Sequence, residues 1–172
     1  YIDELDTLLN NKVSDQMNSD VPIGSFLSGG IDSSLISSLM QKNSLNKIET
    51  FSIGFDDSDY DEAKYAKKIA NFLGTNHNEY YLSSRKSLDI IPNLSSIYSE
   101  PFADSSQIPT FLVCNVAKSK VKVVLGGDGG DELFGGYNRY VLGRRMWSRI
   151  SHLPPNLRKI LSNLISSISP EK

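Results

Sequence analysis

The apolar positions change period several times along the chain, and each change marks an element. Residues 2–17, IDELDTLLNNKVSDQM, carry the spacing of an amphipathic helix. VPIGSFL at 21–27 is a short apolar run between Asp20 and a pair of glycines, which suits a buried strand. In IDSSLISSLMQK, 31–42, apolar residues fall at 31, 35, 36, 39 and 40, the spacing of one helix face. KIETFSIGF at 47–55 reads as a second strand, closed by DDSD, a cluster of turn and cap formers. The segment 61–74 returns to the helical period through Ala63, Ala66, Ile69, Ala70 and Leu73, with acids first, lysines later and Gly74 at the expected C-cap.

The alternation continues with HNEYYLS at 77–83 as a third strand and 84–99 as a helix that runs through Pro92. SSQIPTFLVCNVAKSK at 105–120 predicts a helix capped by Ser105 or Ser106, with Pro109 close enough to its start to be tolerated. VKVVLGG at 121–127 is the most strongly β-branched run and predicts a central strand. DGGDELFGGYNRY opens a glycine-rich loop and then a helix, and LGRRMWSRI and LRKILSNLISSIS extend the helical pattern. Strands alternating with helices imply an α/β fold, a parallel sheet sandwiched by helices, with ligands at the carboxyl ends of the strands. The expected organisation is one domain over 1–150, with a helical extension of the same domain at 151–172 after the LPP at 153–155. A chain that opens on Tyr1, already inside a helical pattern, is expected to be a piece of a longer protein.

Composition narrows the chemistry. At 172 residues, 39% hydrophobic and 22% charged, the chain can bury a core without disulfides. A net charge of -2 with no basic run excludes a broad electrostatic footprint for nucleic acid or an anionic membrane, so any phosphate must be held locally. No uncharged apolar stretch approaches the roughly 18 residues that span a bilayer. The single cysteine, Cys114, rules out an internal disulfide or a multi-cysteine metal site, and a reducing, cytoplasmic setting is the default.

Two glycine-rich loops carry the candidate chemistry. SGGIDSS at 28–34 combines glycines that let backbone N–H groups approach an anion, hydroxyls at Ser28, Ser33 and Ser34, and a helix start just behind. It lacks the Lys-Ser/Thr ending of a Walker loop and the three spaced glycines of a dinucleotide fingerprint. Asp32 beside a bound polyphosphate would be repelled unless a cation such as Mg²⁺ stood between them. A plain tight turn with Asp32 or Ser33 as helix cap reads the same residues without a ligand. In GGDGGDELFGGYNRY, 126–140, Asp128, Asp131 and Glu132 crowd three carboxylates into five residues, which calls for a cation, an amine or full solvation. Both loops are expected at one edge of one sheet, where Asp32 and Asp131 could share a Mg²⁺.

SGGIDSS resembles the pyrophosphatase (PP) loop of adenylating, amide-forming enzymes. The longer strings EPFADSSQIPT at 100–110 and VKVVLGGDGGDELFGGYNRY at 121–140 resemble the synthetase domain of glutamine-hydrolysing asparagine synthetases, a likeness that runs over about residues 1–150. The resemblance implies the adenine nucleotide alpha hydrolase-like fold. It implies that Ser28, Gly29, Gly30, Asp32 and Ser33 hold the pyrophosphate of ATP, with Ser34 beside them. Phe26, Leu27 and Ile53 would line the adenine pocket, Gly126 and Gly127 would touch the nucleotide, Asp32 and Asp131 would carry Mg²⁺, and Asp128 would be the catalytic acid near the reacting carboxylate. The implied reaction adenylates the side-chain carboxylate of aspartate, and ammonia from glutamine then displaces AMP.

The resemblance also implies an N-terminal glutaminase domain in the parent chain and a transition-state lysine beyond the matched region. Cys114, inside FLVCNVAK, reads as a buried small residue rather than a nucleophile, and Lys118, Lys120 and Lys122 read as a solvated cluster at the far edge of the sheet. His77 and His152 have no metal-ligand spacing. Trp147 among Arg144, Arg145 and Arg149 offers a subunit or domain contact, a homodimer being one form of it, and a helix with a basic outer face explains it equally well. The competing readings are an amidotransferase acting on another carboxylate, such as a sugar acid, and a nucleotide-binding module without turnover.

Overall fold

A computed structural model describes residues 1–55, 61–101 and 103–167. The expected turn at DDSD therefore lies outside the described residues, as do Phe102 and the last residues of the tail. The chain divides into two units, Tyr1–Asp128 and Gly129–Lys172.

In the first unit four parallel strands form one sheet in the order β3-β2-β1-β4, with β1 at Ile23–Phe26, β2 at Glu49–Phe55, β3 at Asn76–Leu82 and β4 at Val123–Leu125. Register pairs Gly24 with Glu49 on one side of β1 and with Val124 on the other. Helices α1 (Ile2–Met17), α2 (Ile31–Asn43) and α3 (Ala63–Leu73) follow the predicted order, and Gly74 ends α3 in the left-handed region at φ 74°. Because side chains alternate across a strand, β1 sends Ile23 into a core with Val13, Leu39, Met40 and Ile48, and Leu27 just beyond it packs against Ala66 and Ala70 of α3. The other face carries Phe26, Phe51 and Val124 against Ala117 of α6, the helix at Gln107–Lys118. Helices thus cover both faces, the expected sandwich.

Three local expectations change. The helix expected over 84–99 is broken into α4 (Ser84–Ile90), a single 3-10 turn at Ile91–Asn93 and α5 (Leu94–Ile97), since Pro92 cannot donate to the preceding turn. The β-branched run forms the short outer strand β4, paired only with β1 among the described residues. Val121 and Val124 pack against Ala117 of α6, while Val123 is exposed, so the run's β-branching does not mark a strand with a neighbour on each side. Neither expected serine caps α6 through its side chain: Asp104 accepts the Ser106 N–H at 2.8 Å.

The second unit holds α7 (Gly130–Phe134), α8 (Asn138–Ile150) and α9 (Pro155–Ser166). Within it the Tyr137 hydroxyl donates to Glu132 at 2.5 Å, the Arg139 guanidinium stands 4.1 Å from the Tyr137 ring centroid, and Arg158 stands 5.6 Å from the Trp147 ring. No described helix is long and apolar enough to cross a membrane.

Candidate functional site

The first parallel strand ends at Phe26, and its chain passes through Leu27, Ser28 and Gly29 before Gly30 caps α2. Gly29 sits at φ 92°, and a Cβ there would lie 2.9 Å from Tyr65 Cβ. Only glycine takes that backbone conformation in that space. The serines tie the loop to the first turn of α2. Ser28 Oγ and Ser33 Oγ are 3.0 Å apart, the Ser28 N–H donates to Ser33 Oγ at 3.2 Å, and Ser34 Oγ donates to the Gly30 carbonyl at 2.6 Å. The Gly30 N–H donates to Ser28 Oγ at 3.2 Å. The amides of Gly29, Ile31 and Asp32 have no acceptor among the described residues. Free amides at a helix start form an anion cradle, because their dipoles add.

The second loop reaches the same place from β4. A Cβ on Gly127 would stand 2.6 Å from Ser33 N and 2.7 Å from the Asp32 carbonyl carbon, so the Gly127 backbone lies directly against the first turn of α2. Residues about a hundred positions apart in sequence meet here because β1 and β4 are hydrogen-bonded neighbours. A pair missed by sequence reasoning fixes the geometry. Ser25 in β1 and Ser37 in α2 are fully buried with their hydroxyl oxygens 2.9 Å apart, and Ser25 Oγ also donates to the Leu125 carbonyl at 3.3 Å. That hydroxyl pins α2 to both strands. Its signal was a serine in the middle of a buried strand, which demands a partner.

Between this edge and α6 lies a cavity of about 370 Å³. Phe26, Leu27, Ser28, Ile53 and Asp128, all singled out from sequence, line it. Phe51, Phe55, Pro109 and Val113 complete its apolar wall, and Ser52, Glu62, Ser106 and Thr110 add polar groups that sequence reasoning did not assign to a site. Gly30, Asp32, Ser33 and Ser34 at the start of α2, and Gly126 and Gly127 after β4, are not among its lining residues. Asp32, half-buried in the first turn of α2, has no hydrogen-bond or ion-pair partner among the described residues. Asp131 is in the first turn of α7, in the second unit.

Other expectations resolve outside the site. Lys120 pairs with Glu49 at 3.5 Å at the amino end of β2, the far edge of the sheet. His77 sets its two ring nitrogens against Thr50 Oγ1 at 2.9 Å and Ser52 Oγ at 3.2 Å, and burial lowers its pKa below the usual 6.5. Cys114 is exposed rather than buried, because it lies off the α6 face that packs on Phe51, and its partial cover pushes the thiol pKa up.

Residues 4–170 match the family model described as asparagine synthase. The chain is 46% identical, over 164 residues, to a putative glutamine-hydrolysing asparagine synthetase 2 of Methanocaldococcus jannaschii, covering 95% of this chain and 32% of that protein. It is 38% identical over 172 residues to the glutamine-hydrolysing asparagine synthetase 1 of Bacillus subtilis, covering 99% of this chain and 26% of that protein. The chain thus spans a third or less of the length of these relatives. In three dimensions it resembles the NMN synthetase of Francisella tularensis, with a TM-score of 0.56 at 20% identity over 80% of this chain and 59% of that one. That likeness is one of fold, a parallel sheet flanked by helices.

Proposed function

The chain belongs to the asparagine synthase family, and from that premise we propose that it is the nucleotide-binding part of an ATP-dependent amide-forming ligase. One observation carries the reading: the Gly127 backbone lies against Ser33 and Asp32, which joins both glycine loops into one cradle beside an apolar cavity. A cradle of free amides next to a cavity with an apolar wall suits a ligand with a polyanionic end and a flat, largely apolar end. ATP has that form.

In this reading the side-chain carboxylate of aspartate attacks the α-phosphorus of ATP. The Pα–O bond to the β-phosphate breaks, and pyrophosphate leaves. Ammonia, supplied from glutamine by a glutaminase domain, then adds to the acyl carbon and loses a proton, and AMP departs with the C–O bonding pair to give asparagine. Ser28, Gly29, Gly30, Ser33 and Ser34 hold the leaving pyrophosphate, where preorganised donors stabilise charge most effectively. Phe26, Leu27 and Ile53 seat the adenine, Gly126 and Gly127 let the nucleotide approach closely, and Asp128 is the acid beside the reacting groups. Asp32 fits a hard cation, being a half-buried carboxylate without a protein partner. It would hold Mg²⁺, whose charge, when bound, would offset the repulsion between the two reacting anions.

Screening carboxylates for AMP release in a protein that carries this chain at the length of its relatives tests the reading. Release with aspartate supports asparagine synthesis. Release only with another carboxylate, such as a sugar acid, moves the acceptor, and Mg·ATP binding without release for any carboxylate leaves a binding module.

A further inference from the structure

The cavity receives two carboxylates from opposite sides. Glu62 follows β2 at the start of α3, and Asp128 follows β4, and these two strands flank β1. With neighbouring strands about 4.8 Å apart, the ends of β2 and β4 stand roughly 10 Å from each other. No described residue that lines the cavity is cationic. The lysines of α3 are engaged elsewhere: Lys64 pairs with Asp61 at 3.3 Å, Lys67 pairs with Glu79 at 2.8 Å, and Lys68 stands 5.6 Å from the Tyr65 ring centroid. Glu62 gives its carbonyl to the helix, accepting the N–H groups of Tyr65 at 2.9 Å and Ala66 at 3.1 Å. Its carboxylate is exposed and has no partner among the described residues.

An uncompensated carboxylate repels a phosphate or a substrate carboxylate and attracts neutral donors, to which it makes strong hydrogen bonds. The phosphate end of a nucleotide is drawn to the other side, to the amides behind Ser28. Glu62 therefore faces the end of the ligand that carries hydroxyl and amino groups, next to the apolar wall of Ile53 and Phe55. We propose that Glu62 is a specificity-determining residue for the nucleoside, its carboxylate accepting hydrogen bonds from the ribose hydroxyls or the adenine amine. This rests on the nucleotide-site reading and adds to it a residue, a charge and a discrimination. Asp61 next door does not compete for the role. Its side chain is 4% exposed, and its Oδ1 is buried without a partner and lies 2.9 Å from where a Cβ on Gly54 would stand.

The test is a binding series on a protein that carries this chain at the length of its relatives, as wild type, Glu62→Ala and Glu62→Gln. Its ligands are the magnesium complexes of ATP, 2′-deoxy-ATP, 3′-deoxy-ATP and the triphosphate of purine riboside, which lacks the amine, together with inorganic tripolyphosphate. Glu62→Ala is expected to weaken ATP about tenfold, the scale of a hydrogen bond to a charged group, and to leave tripolyphosphate unchanged. Glu62→Gln keeps a neutral acceptor oxygen and is expected to lose less. The analogue whose disadvantage disappears in Glu62→Ala identifies the group that is read. Unchanged ATP affinity in both variants, or an equal loss for ATP and tripolyphosphate, overturns the inference while leaving the nucleotide site intact. A wild-type protein that binds none of these ligands overturns both.

Discussion

Gly126 and Gly127 are neighbours with opposite consequences. A Cβ on Gly127 meets backbone, Ser33 N at 2.6 Å and the Asp32 carbonyl carbon at 2.7 Å, and backbone cannot swing aside. A Cβ on Gly126 first meets Asp128 Oδ2 at 3.2 Å, the end of a side chain that can rotate away. Gly127→Ala is expected to cost about 1–3 kcal/mol of stability and to weaken Mg·ATP binding, whereas Gly126→Ala stays within about 0.5 kcal/mol. Urea unfolding and ATP titration of the two variants side by side check this, and equal costs would contradict the close approach. Asp32→Asn removes charge while keeping shape. It is expected to lower ATP affinity when Mg²⁺ is present and to leave or raise it when Mg²⁺ is chelated, since a carboxylate near phosphate helps only through a cation. A loss of equal size in both conditions would make Asp32 a helix-start residue and nothing more.

The β2–β3 pair carries a pH dependence of its own. His77 on β3 is half-buried against Thr50 and Ser52 of β2, and Thr50 Oγ1 is also 2.9 Å from Thr75 Oγ1. Burial lowers the histidine pKa, Lys67 acts in the same direction, and Glu79 opposes them. The unfolded chain then takes up a proton near pH 6.5 that the folded chain refuses, so stability is complete above about pH 6.5 and falls as pH drops toward the lower folded value. Urea midpoints measured between pH 7.5 and 5.5 should show that fall in the wild type, and His77→Gln should flatten it. A wild type and variant with parallel profiles would contradict the assignment. At α6 the Ser106 N–H holds the Asp104 carboxyl below its usual pKa. Asp104→Ala is accordingly expected to lower the thermal midpoint above pH 5 and to matter less as pH falls through the carboxylate range. The sequence offered Ser105 and Ser106 as caps and passed over Asp104, because the turn that enters the helix, a feature of loop geometry, decides which side chain reaches a free N–H.

At the scale of the molecule, what could be read from the sequence was local and what could not was long-range. The order of strands and helices followed from period, and both glycine loops were placed by their position after apolar strands. The break at Pro92 was readable too, but the flanking apolar pattern outweighed it. The outer position of β4 and the wall made by Phe51, Phe55, Thr110 and Val113 depend on which strands pair and where α6 lies across them. Residues that read as ordinary core in one dimension therefore become cavity lining in three. The same pairing brings Gly127 against Ser33, and on that contact the proposed nucleotide site stands or falls. The most direct measurement is exchange of labelled pyrophosphate into ATP by a protein carrying this chain at the length of its relatives, with and without aspartate. The account predicts exchange that requires aspartate and disappears in Asp32→Ala. Intact ATP binding with no exchange for aspartate or any other carboxylate would contradict it.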